Sequence, residues 1–140
     1  MKYDYSSLRF RYQIAAFVPE RKGRAGQLDA FCLPDVTTAT AGKAFFKASD
    51  AKIRWAPNAK ALLITTSTTT SGESYYGDSG VHLLSADGMG ASCLFEGPVS
   101  DAAWRPQPHL DSLDAATGRK RRRPRAQFVV IAGKQPPQVN

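Results

Sequence analysis

The sequence predicts an all-β fold, and three observations carry that expectation. Short apolar or alternating runs recur between Pro, Gly, Asn and Asp turn residues, with no convincing helix between them. The tripeptide Trp-x-Pro occurs twice, as Trp55-Ala56-Pro57 and Trp104-Arg105-Pro106, 49 residues apart. Each copy is followed by a polar stretch and then an apolar run, Ala61-Leu62-Leu63-Ile64 in the first and Phe128-Val129-Val130-Ile131 in the second. A repeat of about 40 to 50 residues, each copy holding several short strands, is the mark of a β-propeller blade. The expected class is therefore WD40-like β-propeller blades, antiparallel four-stranded meanders in an incomplete ring, because two copies are too few to close one. A ten-stranded sandwich is the competing arrangement.

The elements follow in order. Tyr12 to Val18 is apolar and stops at Pro19, which has no N–H to continue a ladder. A charged, glycine-containing turn, Glu20 to Gly26, leads into Gln27 to Leu33. There Leu28, Ala30 and Cys32 share one face and Asp29, Phe31 and Leu33 the other. Pro34 and a Thr/Ala linker precede a short aromatic strand, Ala44-Phe45-Phe46-Lys47. Ala51, Ile53 and Trp55 then alternate with Lys52 and Arg54, the period-two pattern of a half-buried strand. Pro57-Asn58-Ala59 turns the chain, and Ala61 to Thr66 is apolar on both faces, as a strand in the middle of a sandwiched sheet would be. A Ser/Thr/Gly loop, the strand Val81 to Ser85, a tight turn at Asp87-Gly88 and the strand Ala91 to Phe95 complete the unit before Gly97-Pro98. Val99 to Trp104, Gln127 to Ala132 and Gln138-Val139-Asn140 start another. The domain organisation expected is one partial propeller: residues 10–48 the end of one blade, 49–96 a complete blade, and 97–140 the start of the next with an insertion at 108–126.

Composition narrows the function. With 140 residues, 42% of them hydrophobic, the chain can build a packed core. No apolar run approaches membrane-spanning length, and the first residues lack the apolar stretch of a secretory leader, so a cytoplasmic protein with no membrane partner is expected. Cys32 and Cys93 lie in strand-like segments with no ligand-spaced partner, and are expected to be buried free thiols in a reducing compartment. The net charge of +7 has one source. Of 19 basic residues, six fall within Arg119-Lys120-Arg121-Arg122-Arg123-Pro124-Arg125, leaving 13 against 12 acidic residues elsewhere. The rest of the chain is close to neutral, so nucleic-acid arguments concern that loop.

The ordered pieces Phe45-Phe46-Lys47-Ala48, Ile53-Arg54-Trp55, Ala61-Leu62-Leu63-Ile64 and Gly72-Glu73-Ser74-Tyr75-Tyr76-Gly77 resemble eukaryotic translation initiation factor 2A. Val81 to Gly88 and Gly97 to Trp104 continue the likeness, which covers roughly residues 10 to 140 with one interruption. The Tyr-Tyr-Gly piece favours this family over the related propeller subunit of initiation factor 3. The resemblance implies a large propeller that binds the small ribosomal subunit and assists delivery of initiator methionyl-tRNA, with ribosomal RNA and other initiation factors among its partners and no cofactor. It also implies a longer chain with flanking blades. The Trp-Asp dipeptide of ordinary WD40 repeats is missing, and the stretch from Pro108 to Arg125 looks inserted in a hairpin that is short in the family.

Arg119, Lys120, Arg121, Arg122, Arg123 and Arg125 are the candidate RNA contacts, since clustered cations attract phosphates and release counterions. A nuclear-import-like tract and a solvated expansion are the competing readings of the same run. Tyr75 and Tyr76, beside Gly72 and Gly77, are the candidates for an exposed contact, against the alternative that they fold back over a blade edge. Trp55 and Trp104 are expected in the core. Catalytic signatures fail: Gly42-Lys43 has Thr37 where a phosphate loop needs glycine, and Gly133-Lys134 has Phe128 there. Gly72-Glu73-Ser74-Tyr75-Tyr76 lacks the last glycine of a nucleophile elbow. His82 and His109 have no partner at recognisable spacing. No catalytic residue, metal site or enzymatic activity is expected. The competing functions are a protein-interaction scaffold of WD40 type without an RNA role, and a non-functional truncated paralogue.

Overall fold

The computed structural model describes residues 12–68, 79–106 and 126–132. Among these there are nine strands and no helix: β1 Gln13–Val18, β2 Gly26–Cys32, β3 Ala41–Phe45, β4 Asp50–Trp55, β5 Ala61–Ser67, β6 Ser79–Ser85, β7 Ala91–Glu96, β8 Val99–Trp104 and β9 Phe128–Ala132. They form three antiparallel sheets in chain order, β1-β2-β3, β4-β5-β6-β7 and β8-β9. The chain is thus built of β-propeller-type meanders, the central one four-stranded, and the described strands close no ring. The expected strand at residues 138–140 lies outside the described residues.

The central sheet is apolar on both faces because it is covered on both. Its register places Trp55 opposite Leu62, Ile53 opposite Ile64, and Leu62 opposite Leu84. That face packs on Leu28, Ala30, Ala41 and Phe45 of the first sheet, with Ala15 and Phe17 at the margin. Leu63 and Val81 point the other way and pack on Ala102, Val99, Trp104 and Val130 of the third sheet. Leu62 and Ile64 are fully buried, and Leu63 is 1% exposed. Three successive buried residues in β5 are what a strand sandwiched between two neighbours requires. At roughly 1.5–3 kcal/mol per buried side chain, this one strand is the largest local contributor to the stack. The flanking sheets are covered on one face only. Ile14 and Val18 stay exposed on the outer side of the first, Val129 and Ile131 on the outer side of the third.

Turn chemistry matches the sequence closely. Asp87 accepts from the Met89 N–H (2.9 Å), and Gly88, at φ +78°, donates its N–H to Ser85 O (3.0 Å). A Cβ on Gly88 would stand 2.6 Å from Thr40 O, so this turn also needs glycine where it meets the first sheet. Asn58 accepts from the Lys60 N–H (3.0 Å), and the Ala59 N–H reaches Ala56 O (2.8 Å).

Two expectations are corrected. The aromatic strand runs Ala41–Phe45 rather than 44–47, because the chain turns at Lys47, left-handed at φ +55°; Phe46, opposite in face to buried Phe45, is 85% exposed. The cysteines are free but not buried: Cys32 is half-buried, and Cys93 is exposed on β7, the edge strand whose every residue is exposed.

Leu62→Ala is expected to destabilise the chain by about 2–5 kcal/mol, since Leu62 is fully buried in the core between the first and second sheets. Lys52→Ala, on an exposed position of β4, is expected to stay within about 0.5 kcal/mol. Urea denaturation followed by tryptophan fluorescence checks both, and equal midpoint shifts would contradict the sandwiched-strand account.

Candidate nucleic-acid interface

Strand directions give the stack two ends. One carries the β4–β5 and β6–β7 turns, the segment between β2 and β3, and the start of the β8–β9 connection. The other carries the β1–β2 turn, the 46–49 turn, Ser67, Ser79 and Gly97. Contacts between sheets agree with this. The Trp104 indole Nε1–H donates to Arg54 O (2.8 Å) at the first end, and the Val99 N–H donates to Ser79 Oγ (3.1 Å) at the second.

The basic run Arg119 to Arg125 and the pair Tyr75 and Tyr76 both lie outside the described residues, but the strand ends that carry them are defined. The 107–125 segment leaves and rejoins a well-built hairpin. Trp104 pairs with Phe128 in register, and their rings meet edge to face at 5.4 Å. Next outward, the Arg105 N–H donates to Gln127 O (2.7 Å) and the Arg105 guanidinium to Gln127 Oε1 (2.7 Å). The Arg54–Asp101 ion pair (3.3 Å) adds a half-exposed link to β4 worth about 0–1 kcal/mol. The 69–78 segment springs from paired Ser67 and Ser79, at the opposite end. Ser49 donates its N–H to Ser67 O (3.0 Å), and the Val99 N–H donates to Ser79 Oγ (3.1 Å). The two candidate contacts of the sequence are therefore rooted at opposite ends, and the described residues do not bring them together.

Trp55 and Trp104 stand as expected, half-buried and packed against the two cores. Sequence reasoning missed the second role of Trp104, whose indole N–H joins the third sheet to the second across fifty residues. Local pattern carries no signal of such a bond.

Among the described residues three titratable groups are perturbed. Asp35 is held below its ordinary carboxylate value, first by the Thr37 hydroxyl (2.6 Å) and then by the Thr37 N–H (2.8 Å). Asp87 is lowered first by the Ser85 hydroxyl (2.6 Å), then by the Met89 N–H. Both are fully exposed turn carboxylates at the end where the basic segment is rooted. His82 is lowered by burial first, and then by the Lys43 charge, against a smaller opposing effect of Glu96. Its ring meets Phe45 of the first sheet edge to face at 4.8 Å, and its Nδ1 is buried without a partner. Among the described residues no group of three His, Cys, Asp or Glu side chains is placed to hold a metal ion, and no helix is long and apolar enough to cross a membrane.

With this geometry in view, the family model for "Eukaryotic translation initiation factor eIF2A" matches residues 43–110. Eukaryotic translation initiation factor 2A of Dictyostelium discoideum is 36% identical over 97% of this chain, and that of Saccharomyces cerevisiae 33% over 91%. The Schizosaccharomyces pombe factor is 30% identical over 66%. A solved structure, "Crystal structure of the eukaryotic initiation factor", superposes with a TM-score of 0.54 over 67% of this chain and 22% of its own, at 23% identity, a likeness of fold. Face-to-face meanders with this likeness define a segment of a β-propeller protein. The chain belongs to the eukaryotic translation initiation factor 2A family. It spans 21% of the Dictyostelium relative and 19% of the yeast one.

An imidazole held below its ordinary value of 6.5 binds its proton more weakly in the fold than in the unfolded chain. The associated stability is full above pH 6.5 and is lost as pH falls below it. The thermal midpoint is expected to drop between pH 7.5 and pH 5. His82→Phe, which keeps a ring against Phe45 but cannot titrate, should reduce that drop. An unchanged pH dependence in the variant would show that His82 does not produce it.

Trp104→Phe keeps the ring contact with Phe128 and removes the indole N–H. A loss of about 0.5–1.5 kcal/mol in urea stability is expected. No loss would mean that water replaces the bond to Arg54 at no cost.

Proposed function

We propose that the chain is part of the propeller of a cytoplasmic translation initiation factor that binds the small ribosomal subunit and assists delivery of initiator methionyl-tRNA. The observation that carries this reading is its 36% identity to a translation initiation factor over 97% of the chain. Residues 10–48 are the end of one blade, 49–96 a complete blade and 97–140 the start of the next. The apolar outer faces at Ile14, Val18, Val129 and Ile131 suit burial against further blades of a longer protein. The mechanism is binding, with no bond made or broken: stacked sheets hold loops at fixed spacing against RNA and protein of the subunit.

In this reading Arg119, Lys120, Arg121, Arg122, Arg123 and Arg125 meet ribosomal RNA phosphates, projected from the hairpin closed by Trp104 and Phe128. Support comes from their concentration in one segment of an otherwise nearly neutral chain. Six contacts to single-stranded phosphates correspond to a log–log salt slope of about −4. Deleting residues 119–125 is expected to flatten the slope measured by sedimentation with purified small subunits. An unchanged slope would exclude the basic run as the RNA contact. Binding that survives nuclease digestion of the RNA would favour a protein-interaction scaffold instead.

A further inference from the structure

The β1–β2 turn breaks two local rules in the same direction. Arg21 and Arg24 are directly opposed, joined by Arg21 N–H to Arg24 O (3.2 Å) and Arg24 N–H to Arg21 O (2.8 Å). Directly opposed residues of an antiparallel pair project to the same face, where like charges repel. Between them, Lys22 at φ +33° and Gly23 at φ +81° form the two-residue turn. Positive φ at the first position favours Asn, Asp or Gly, and here a lysine occupies it. All four residues are exposed, and neither guanidinium makes a hydrogen bond or ion pair among the described residues. Three cations thus crowd four positions, and a bound anion would relieve the repulsion between the two opposed arginines.

A flat aromatic surface stands at the same end. The Glu20 N–H donates to Ala48 O (3.0 Å), tying this turn to the 46–49 turn, where Phe46 is 85% exposed and Lys47 follows it. Cations and an exposed ring on two turns joined at one end supply the two parts of a single-strand binding surface: phosphates meet the charges while a base stacks on the ring. An acidic peptide would use the charges but has no need of the ring.

Resting on the RNA-binding reading above, we propose that Arg21, Lys22, Arg24 and Phe46 form a second site for single-stranded RNA, at the end of the sheets opposite the roots of the basic segment. With Arg119 to Arg125 rooted at the other end, one strand of RNA would be held along the edge of the stack or two separate strands at its ends.

The test is fluorescence anisotropy of the 140-residue chain with a labelled twelve-nucleotide oligouridylate across a salt series. Arg21→Gln/Arg24→Gln keeps the backbone pairing, and is expected to lessen the salt slope by about 1.4, two phosphates at about 0.7 each. Phe46→Ser is expected to weaken binding about fivefold or more with the slope unchanged. Both effects should persist when residues 119–125 are deleted. Lys60→Gln, an exposed cation at the other end, should do neither. Because every substituted residue is exposed, circular dichroism should be unaltered. A wild-type slope in the double variant, or a Lys60 variant equal to it per charge removed, would overturn the proposal. So would polyglutamate displacing the RNA from the segment-deleted chain at equal charge concentration, which would indicate a protein partner. Loss of all binding on deleting 119–125 would remove this site alone and leave the basic-run reading standing. Absence of binding in the unaltered chain would remove both.

Discussion

The burial of β5 between two sheets is the constraint on which the rest of the structure depends. Leu62 and Ile64 face the first sheet and Leu63 faces the third, so a single strand ties all three layers together. Its neighbours β4 and β6 are pinned to it by continuous pairing, and their own apolar residues fall on the faces that its register dictates. Sheets stacked in this way need side chains of complementary volume on both inner faces. That explains why the opposing surface is made of Ala30 and Ala41 of the first sheet and Ala48 of the following turn, around Leu28 and Phe45: small residues leave room for Ile64 and Leu84.

Polar contacts are spent at the ends of the stack. Backbone groups at strand termini have lost their ladder partners and must find others. Ser49 to Ser67 and Gly97 to Ser79 extend the ladders of the central sheet, while Val99 to Ser79 and Trp104 to Arg54 cross to the third sheet. The crossing bonds orient neighbouring sheets while the apolar middle supplies the cohesion. Exposed turn positions at these ends carry charge at little cost, because charge there stays in water. A basic segment at one end and a basic turn at the other are tolerated for that reason. Charges placed in the middle of β5 would not be.

Much of the fold was legible in the chain. The alternation of Ala51, Ile53 and Trp55 with Lys52 and Arg54, and the doubly apolar run 61–66, translate directly into one covered and two covered faces. Asp87-Gly88 and Pro57-Asn58-Ala59 specify turns through side-chain and backbone preferences that act over three or four residues. The end of β3 was misjudged because Phe46 is apolar and follows Phe45 in sequence. Alternation puts Phe46 on the face opposite buried Phe45, which no sheet covers among the described residues, and the chain turns at Lys47. The Cys93 thiol was misjudged because hydrophobicity says nothing about whether a strand lies at an edge, as β7 does, and Cys32 because it falls at the very end of β2. The candidate site was legible only in part: a run of six cations is visible in any sequence, whereas the opposition of Arg21 to Arg24 is visible only once the hairpin register is known.

The sequence by itself determined the class of the fold, the faces of its central strands and the place where positive charge is concentrated. These are properties of near neighbours, encoded in the two-residue period of a strand and in the conformational preferences of Gly, Pro, Asn and Asp. Tertiary structure alone decided that the tyrosine and arginine segments are rooted at opposite ends, that Trp104 joins two sheets, and that His82 rests against Phe45 with an unpaired nitrogen. Each of these depends on groups far apart in the chain being brought within a few ångströms. Only the pairing of strands and the stacking of sheets can do that.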